Sequence, residues 1–211
     1  MRFAGRQAEV AVQTGFIELS GDRLIVRGRR HPLDVVPGQV TTAVVHVQID
    51  PRRRLVWTPA RETQVAQAVL RLARRPGVRR LQVDFEVRAS ERAVLLAVLQ
   101  GVRAGLPEGT QFSMTALASW CETETWLDDA PVDEIVPMLF RMGPGGEPLK
   151  AKLAAGGDFA NPRCRQALAI STDTPLKNAP AGRRVYLFSP RSWTAASFET
   201  TRDRVAAWPV G

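Results

Sequence analysis

The sequence predicts an α/β protein built on a parallel sheet. Three observations carry that expectation. Segments of strand character alternate with segments of helical periodicity, which favours parallel strands joined by right-handed crossovers. The segment EIVPMLF (134–140) is apolar on both faces, as strands covered on both sides are. No linker, repeat or low-complexity tract interrupts the 211 residues, so residues 1–211 are expected to form one domain. The pattern leaves open whether the sheet stays flat or closes into a barrel.

The elements follow in order. Residues 8–19 are rich in Val, Ile and Phe and form the first strand. Ser20-Gly21-Asp22 is a turn, and RLIVRG (23–28) alternates as the returning arm of a hairpin. Residues 41–50 are a further strand. Thr58-Pro59 is an N-cap followed by proline at the first helical position. That helix carries Val65, Val69, Leu72 and Ala73 at helical spacing and stops near Pro76-Gly77. LQVDFEV (81–87) is the next strand. Ser90 caps a helix with Leu95, Leu96, Leu99 and Val102 on one face, ended by Gly105 and Pro107. Strands are expected at 111–120, 134–140, 166–172 and 184–190. A short helix lies around 148–155. Thr194 caps a last helix to about Trp208, with Phe198 and Val205 inward.

Composition narrows the function classes. Apolar residues make up 45% and charged residues 24%, which excludes wholesale disorder and fibrous classes. No stretch reaches the roughly 20 apolar residues of a membrane span. MRFAGRQAEV has no long apolar core of a signal peptide, so the sequence assigns no compartment. Two cysteines, Cys121 and Cys164, are too few for a disulfide scaffold or a zinc cluster, and two histidines make a multi-histidine metal site unexpected. No metal and no organic cofactor is implied. The net charge is 29 − 21 = +8, almost all of it arginine. A basic chain can read phosphates. However, the arginine clusters have no interleaved aromatic residues, as a nucleic-acid stacking platform would need.

The segment Leu81-Gln82-Val83-Asp84-Phe85-Glu86 stands out. A strand has period two, so Gln82, Asp84 and Glu86 share one face and Leu81, Val83 and Phe85 the other. The apolar face packs on helices. The polar face then points to the sheet's centre or a barrel lumen. Two carboxylates there repel, so one is expected to hold a proton near neutral pH, as a general acid does. The bland alternative is an ion pair with a nearby arginine.

Asp-x-Glu at the end of a strand resembles the fourth-strand signature of chitinase-like glycoside hydrolases. LQVDFEV, FSMTALASWC and LDDAPVDEIVPMLFRMG, in that order, are similar to bacterial domain-of-unknown-function family 3142, a glycoside-hydrolase-like barrel family. The resemblance spans about residues 8–193. It implies a TIM-like (β/α)8 barrel and no established reaction. Counting 81–87 as the fourth strand puts a first strand before Met1, so the resemblance implies an incomplete, N-terminally truncated barrel with an open edge. It assigns Glu86 the acid position and Asp84 the helper carboxylate. Gln82 replaces the first Asp of the chitinase pattern, a departure that weakens the charge relay. Met138 and Phe140 match a Met-x-Tyr pair without its hydroxyl, which disfavours substrate-assisted cleavage.

Barrel sites form at strand C-terminal ends. Trp120 and Trp193 are candidates there to stack on sugar faces, with core packing as the alternative. Arg141 is a candidate to pair with Glu86 or a ligand carboxylate. His46, Gln48 and Asp50 share a face of their strand; His46 is expected to be a satisfied core residue, with the alternative that His46 or Gln48 lines the lumen. Ser171-Thr172-Asp173 is expected to be an ordinary turn. Asp133 and Glu134 begin a strand and fall at the opposite, stabilising end. Gly143-Pro144-Gly145-Gly146 lacks the Lys-Ser/Thr of a phosphate loop. Cys121 has no histidine partner in the sequence pattern to make it a nucleophile.

The expected function is carbohydrate hydrolysis with Glu86 as acid, Asp84 as its partner, and Gln82, Trp120, Arg141 and Trp193 shaping the pocket. The alternatives are a non-catalytic carbohydrate-binding barrel and a basic polyanion binder.

Overall fold

The computed structural model describes residues 1–5 and 7–208. The chain runs β1 (Val10–Ser20), β2 (Arg23–Gly28), β3 (Val40–Ile49), α1 (Pro59–Ala73), β4 (Arg80–Phe85), α2 (Arg92–Gly105) and β5 (Gln111–Leu117). It continues through α3 (Trp120–Thr123), β6 (Glu134–Met138), α4 (Gly146–Ala154), β7 (Ala167–Ser171), β8 (Arg184–Phe188) and α5 (Ala195–Ala206). β2, β1, β3, β4 and β5 stand side by side in that order, and β6, β7 and β8 follow one another in the same way. β1, β3, β4 and β5 pair in parallel, as do β6, β7 and β8.

The fold is of the α/β class, with strands that are mostly parallel. The outer side of β1, where a parallel first strand would pair, is taken by β2. The Ser20 to Arg23 turn folds β2 back antiparallel on β1, so the hairpin covers that edge.

The chain falls into two compact units. The larger comprises Arg6–Thr115 and Asp129–Asp133; the other comprises Met1–Gly5, Ala116–Asp128 and Glu134–Gly211. In the larger unit, one sheet face is apolar and covered by helices. Ile17, Val45, Val47, Val83 and Phe85 are all buried there. Thr58 caps α1, its hydroxyl accepting from the Arg61 N–H at 3.2 Å. The helix then buries Val65, Ala66, Ala68 and Val69. Gly15 makes room for Leu72 of α1: a Cβ there would fall 2.5 Å from a Leu72 methyl. The two helices meet closely where Gly101 of α2 faces Ala66, since a Cβ on Gly101 would lie 2.9 Å from that of Ala66. α2 starts two residues after the expected Ser90 cap. A short 3-10 turn precedes it, in which the Glu91 carboxylate accepts from the Arg88 N–H at 2.9 Å.

In the other unit β7 is buried along its whole length. Val136, Met138, Ala167, Ala169 and Tyr186 form its core. Glu134 begins β6 as expected at the stabilising end, accepting from the Tyr186 hydroxyl at 2.6 Å and from Arg184 at 3.1 Å. Thr194 caps α5, its hydroxyl accepting from the Ser197 N–H at 3.1 Å, and Phe198 is buried. Cys121 and Cys164 form a disulfide, a pairing the sequence reading did not make.

Candidate functional site

A polar row crosses the larger unit on the sheet face opposite the helices. Its centre is Asp84 of β4. His46 of β3 lies directly across from it in register, with Nδ1 2.8 Å from Asp84 Oδ2. Thr115 of β5 donates its hydroxyl to Asp84 Oδ1 at 2.7 Å. The carboxylate is therefore held on both oxygens. On the far side of His46, Phe16 of β1 stacks on the imidazole, with ring centroids 5.3 Å apart and planes 10° apart. One step toward the strand ends, Gln48 donates to Glu18 at 2.9 Å across registered positions. One step the other way, fully buried Gln82 donates to Ser113 at 3.3 Å. Among the described residues, Gln82 Oε1 is buried without a hydrogen-bond partner.

These contacts set the charges. Burial pushes the Asp84 carboxyl up. The hydrogen bonds from His46 and Thr115, with the charge of His46, outweigh that and leave it below the ordinary carboxylate value. His46 is raised above its ordinary 6.5. The hydrogen bond to Asp84 is the main cause, partly opposed by burial and assisted by the charges of Asp84 and Glu86 and by Gln48.

Of the two carboxylates expected on this face, Asp84 is the ionised one. Its close partner is an imidazole, not Glu86 and not an arginine, and it stays ionised. β4 ends at Phe85, so Glu86 lies just beyond the strand and is exposed. Its charge still acts on His46. Gln82, Asp84 and Glu86 therefore belong to one unit, joined by His46, Thr115, Phe16, Glu18 and Gln48.

Trp120, Arg141 and Trp193 belong to the other unit. Trp120 does not end a strand. β5 stops at Leu117, the chain turns, and Trp120 opens α3. Only 6% exposed, it packs edge-on against Trp126 at 5.2 Å, next to the Cys121–Cys164 disulfide. It is a core residue and offers no face to a sugar. Trp193 is half-buried, edge-on to Phe198 at 6.3 Å. Arg141 is exposed and has φ 53°, the left-handed region that non-glycine residues rarely occupy. Its charge falls on Asp173, whose carboxyl is lowered first by the Ser171 hydroxyl and then by Arg141 among other groups, with burial opposing. Ser171 bonds Asp173 in the turn expected there.

From the sequence, His46 was legible as a core histidine or a lumen-lining residue, not as the partner of Asp84. Its signal lay in strand register, because His46 and Asp84 occupy matching positions of adjacent polar faces. Asp50 plays no part in the row: it accepts from Ser20 at 2.8 Å and from the Arg52 N–H at 3.0 Å, closing the hairpin's end.

Among the described residues, no group of three or more His, Cys, Asp or Glu is placed to hold a metal ion, and no helix is long and apolar enough to cross a membrane. No family model, curated protein or solved structure matches this chain.

Proposed function

We propose that the chain is a carbohydrate-active protein of the glycoside-hydrolase-like type, with Glu86 as general acid and Asp84 as its ionised partner. The observation that supports this most is the double anchoring of Asp84 by His46 and Thr115, two residues before exposed Glu86 on the same strand line. Glycoside cleavage needs one carboxyl that gives a proton to the leaving oxygen. It also needs one anion beside the positive charge that builds at the sugar carbon. A carboxylate held on both oxygens suits the second role. Glu86 suits the first: it is exposed, two residues on from Asp84, and lies just beyond the strand. His46, stacked on Phe16, fixes the orientation of Asp84. In this reading the parallel strands belong to a barrel of the family 3142 type, supported by LQVDFEV, FSMTALASWC and LDDAPVDEIVPMLFRMG.

A second reading, a non-catalytic carbohydrate-binding protein, draws on Gln82. A neutral amide bonded to Ser113 cannot pass charge to Asp84 as an aspartate there would.

The test is hydrolysis of a glycan panel by the chain and its Glu86→Gln and Asp84→Asn variants. Loss of a general acid should cut turnover by about 10²- to 10⁴-fold. Undiminished hydrolysis by Glu86→Gln would remove Glu86 from the mechanism. Binding of a glycan without turnover in any variant would favour the second reading.

A further inference from the structure

The polar row continues past Phe16 onto the hairpin. Arg27 of β2 lies directly opposite Phe16, and Phe16 is registered with His46, which is registered with Asp84. Arg23 lies opposite Ser20 on the same face, four residues from Arg27. The line Arg27–Phe16–His46–Asp84 thus crosses three strand spacings of about 4.8 Å each. Both arginines are exposed, and neither is in ion-pair range of a carboxylate among the described residues. Exposed Arg29 and Arg30 follow on the same arm, and Arg53 and Arg54 pack beside the hairpin turn at Gly21. One face therefore grades from free guanidinium groups, over an aromatic ring, to hydrogen-bonded carboxylates.

Building on the carbohydrate reading, we propose that the ligand is an acidic glycan bearing ring carboxylates. Arg27 and Arg23 would take its carboxylates, while its hydroxyls donate to Glu18, Asp84 and Glu86. The guanidinium fork matches a planar carboxylate in two parallel hydrogen bonds. Phe16 offers an apolar surface between the two ends. A nucleic acid fits this gradient poorly. It carries a charge at every nucleotide, and those laid along the row would meet Glu18, Asp84 and Glu86. A glycan places uncharged hydroxyl donors there. Charged residues on an edge strand also discourage pairing between sheets. That role is indifferent to face, whereas Arg23 and Arg27 both lie on the face of the row.

Calorimetric titration of the full chain with oligogalacturonate and with its carboxyl-reduced neutral counterpart tests this. The acidic glycan should bind at least about tenfold tighter, and added salt should erode the advantage. The Arg23→Gln, Arg27→Gln double variant should lose the preference and bind both glycans equally. Arg27→Lys, which keeps the charge without the fork, should fall between. Equal affinity for both glycans in the unmodified chain would overturn the acidic-ligand inference and leave the carbohydrate reading standing. Binding of neither would overturn both. Tighter binding of single-stranded DNA of matched charge would overturn the inference in favour of a nucleic acid.

Discussion

His46 Nδ1 sits 2.8 Å from Asp84 Oδ2 across registered positions of β3 and β4, and both side chains are largely shielded from solvent. Asp84 is depressed below its ordinary 3.8, so its contribution to stability is present above that pH and is lost as pH falls through the folded value. His46 is raised above 6.5, so its contribution is full below 6.5 and is lost as pH rises through its folded value. The pair therefore stabilises most between these limits. Asp84→Asn should lower the unfolding midpoint most at about pH 5, with a smaller gap at about pH 9. The midpoint of the His46 ring-proton titration should fall in the same variant. With His31 as the sole other histidine, and exposed, two NMR resonances suffice to read this. A pH-independent gap, or an unmoved His46 midpoint, would show that the contact carries no charge coupling.

Trp120 is a packing residue, and its replacement should act on stability before it acts on any ligand. It is 6% exposed and edge-on to Trp126. Trp120→Ala should cost about 3–5 kcal/mol in urea unfolding, as deletions of large buried aromatics do. Trp120→Phe should recover part of that. A Trp120→Ala chain that keeps its unfolding midpoint but loses glycan affinity would return this residue to the binding surface.

The disulfide closes a loop with a sequence separation of 43 between Cys121 and Cys164. Restricting the unfolded chain over such a loop contributes roughly 2–4 kcal/mol. Cys121→Ser, or reduction of the unmodified chain, should lower the unfolding midpoint accordingly. Thiol titration in denaturant should find two thiols only after reduction. Two reactive thiols without reductant would show that the bond does not form.

Much of the fold was legible because its signals are local. Thr58 and Thr194 each cap the helix expected of them, and the Ser20-Gly21-Asp22 turn makes the hairpin. Strand parity also placed Gln82, Asp84 and Glu86 on one line. What was not legible depends on contacts distant in sequence. The His46–Asp84 bond spans 38 positions and needs the register of two strands. The end of β5 at Leu117 turned Trp120 from a strand end into buried packing. The place of β2 on the outer side of β1, which puts Arg27 in line with Phe16, follows from how the hairpin lies on β1.

Gly15 holds the row in place from beneath. It lies in β1 beside Phe16, at a register shift between β1 and β3, and it faces α1. A Cβ there would meet Leu72 Cδ1 at 2.5 Å, Cδ2 at 2.6 Å and Cγ at 2.8 Å. The branched end of Leu72 is in the way and must turn or shift to admit a methyl group. Gly15→Ala should therefore destabilise by about 1–3 kcal/mol, the usual cost of overpacking. Leu72→Ala removes the obstacle and should itself cost about 2–4 kcal/mol. Combining the two should cost less than their sum, because the second change relieves the strain of the first. A double-mutant cycle in urea measures the difference, and strict additivity would show that Gly15 is not the point where α1 rests on the sheet. The same cycle read through the His46 ring resonance should show a shift in Gly15→Ala that Leu72→Ala reverses. Phe16 stacks on that ring and adjoins Gly15 in the chain.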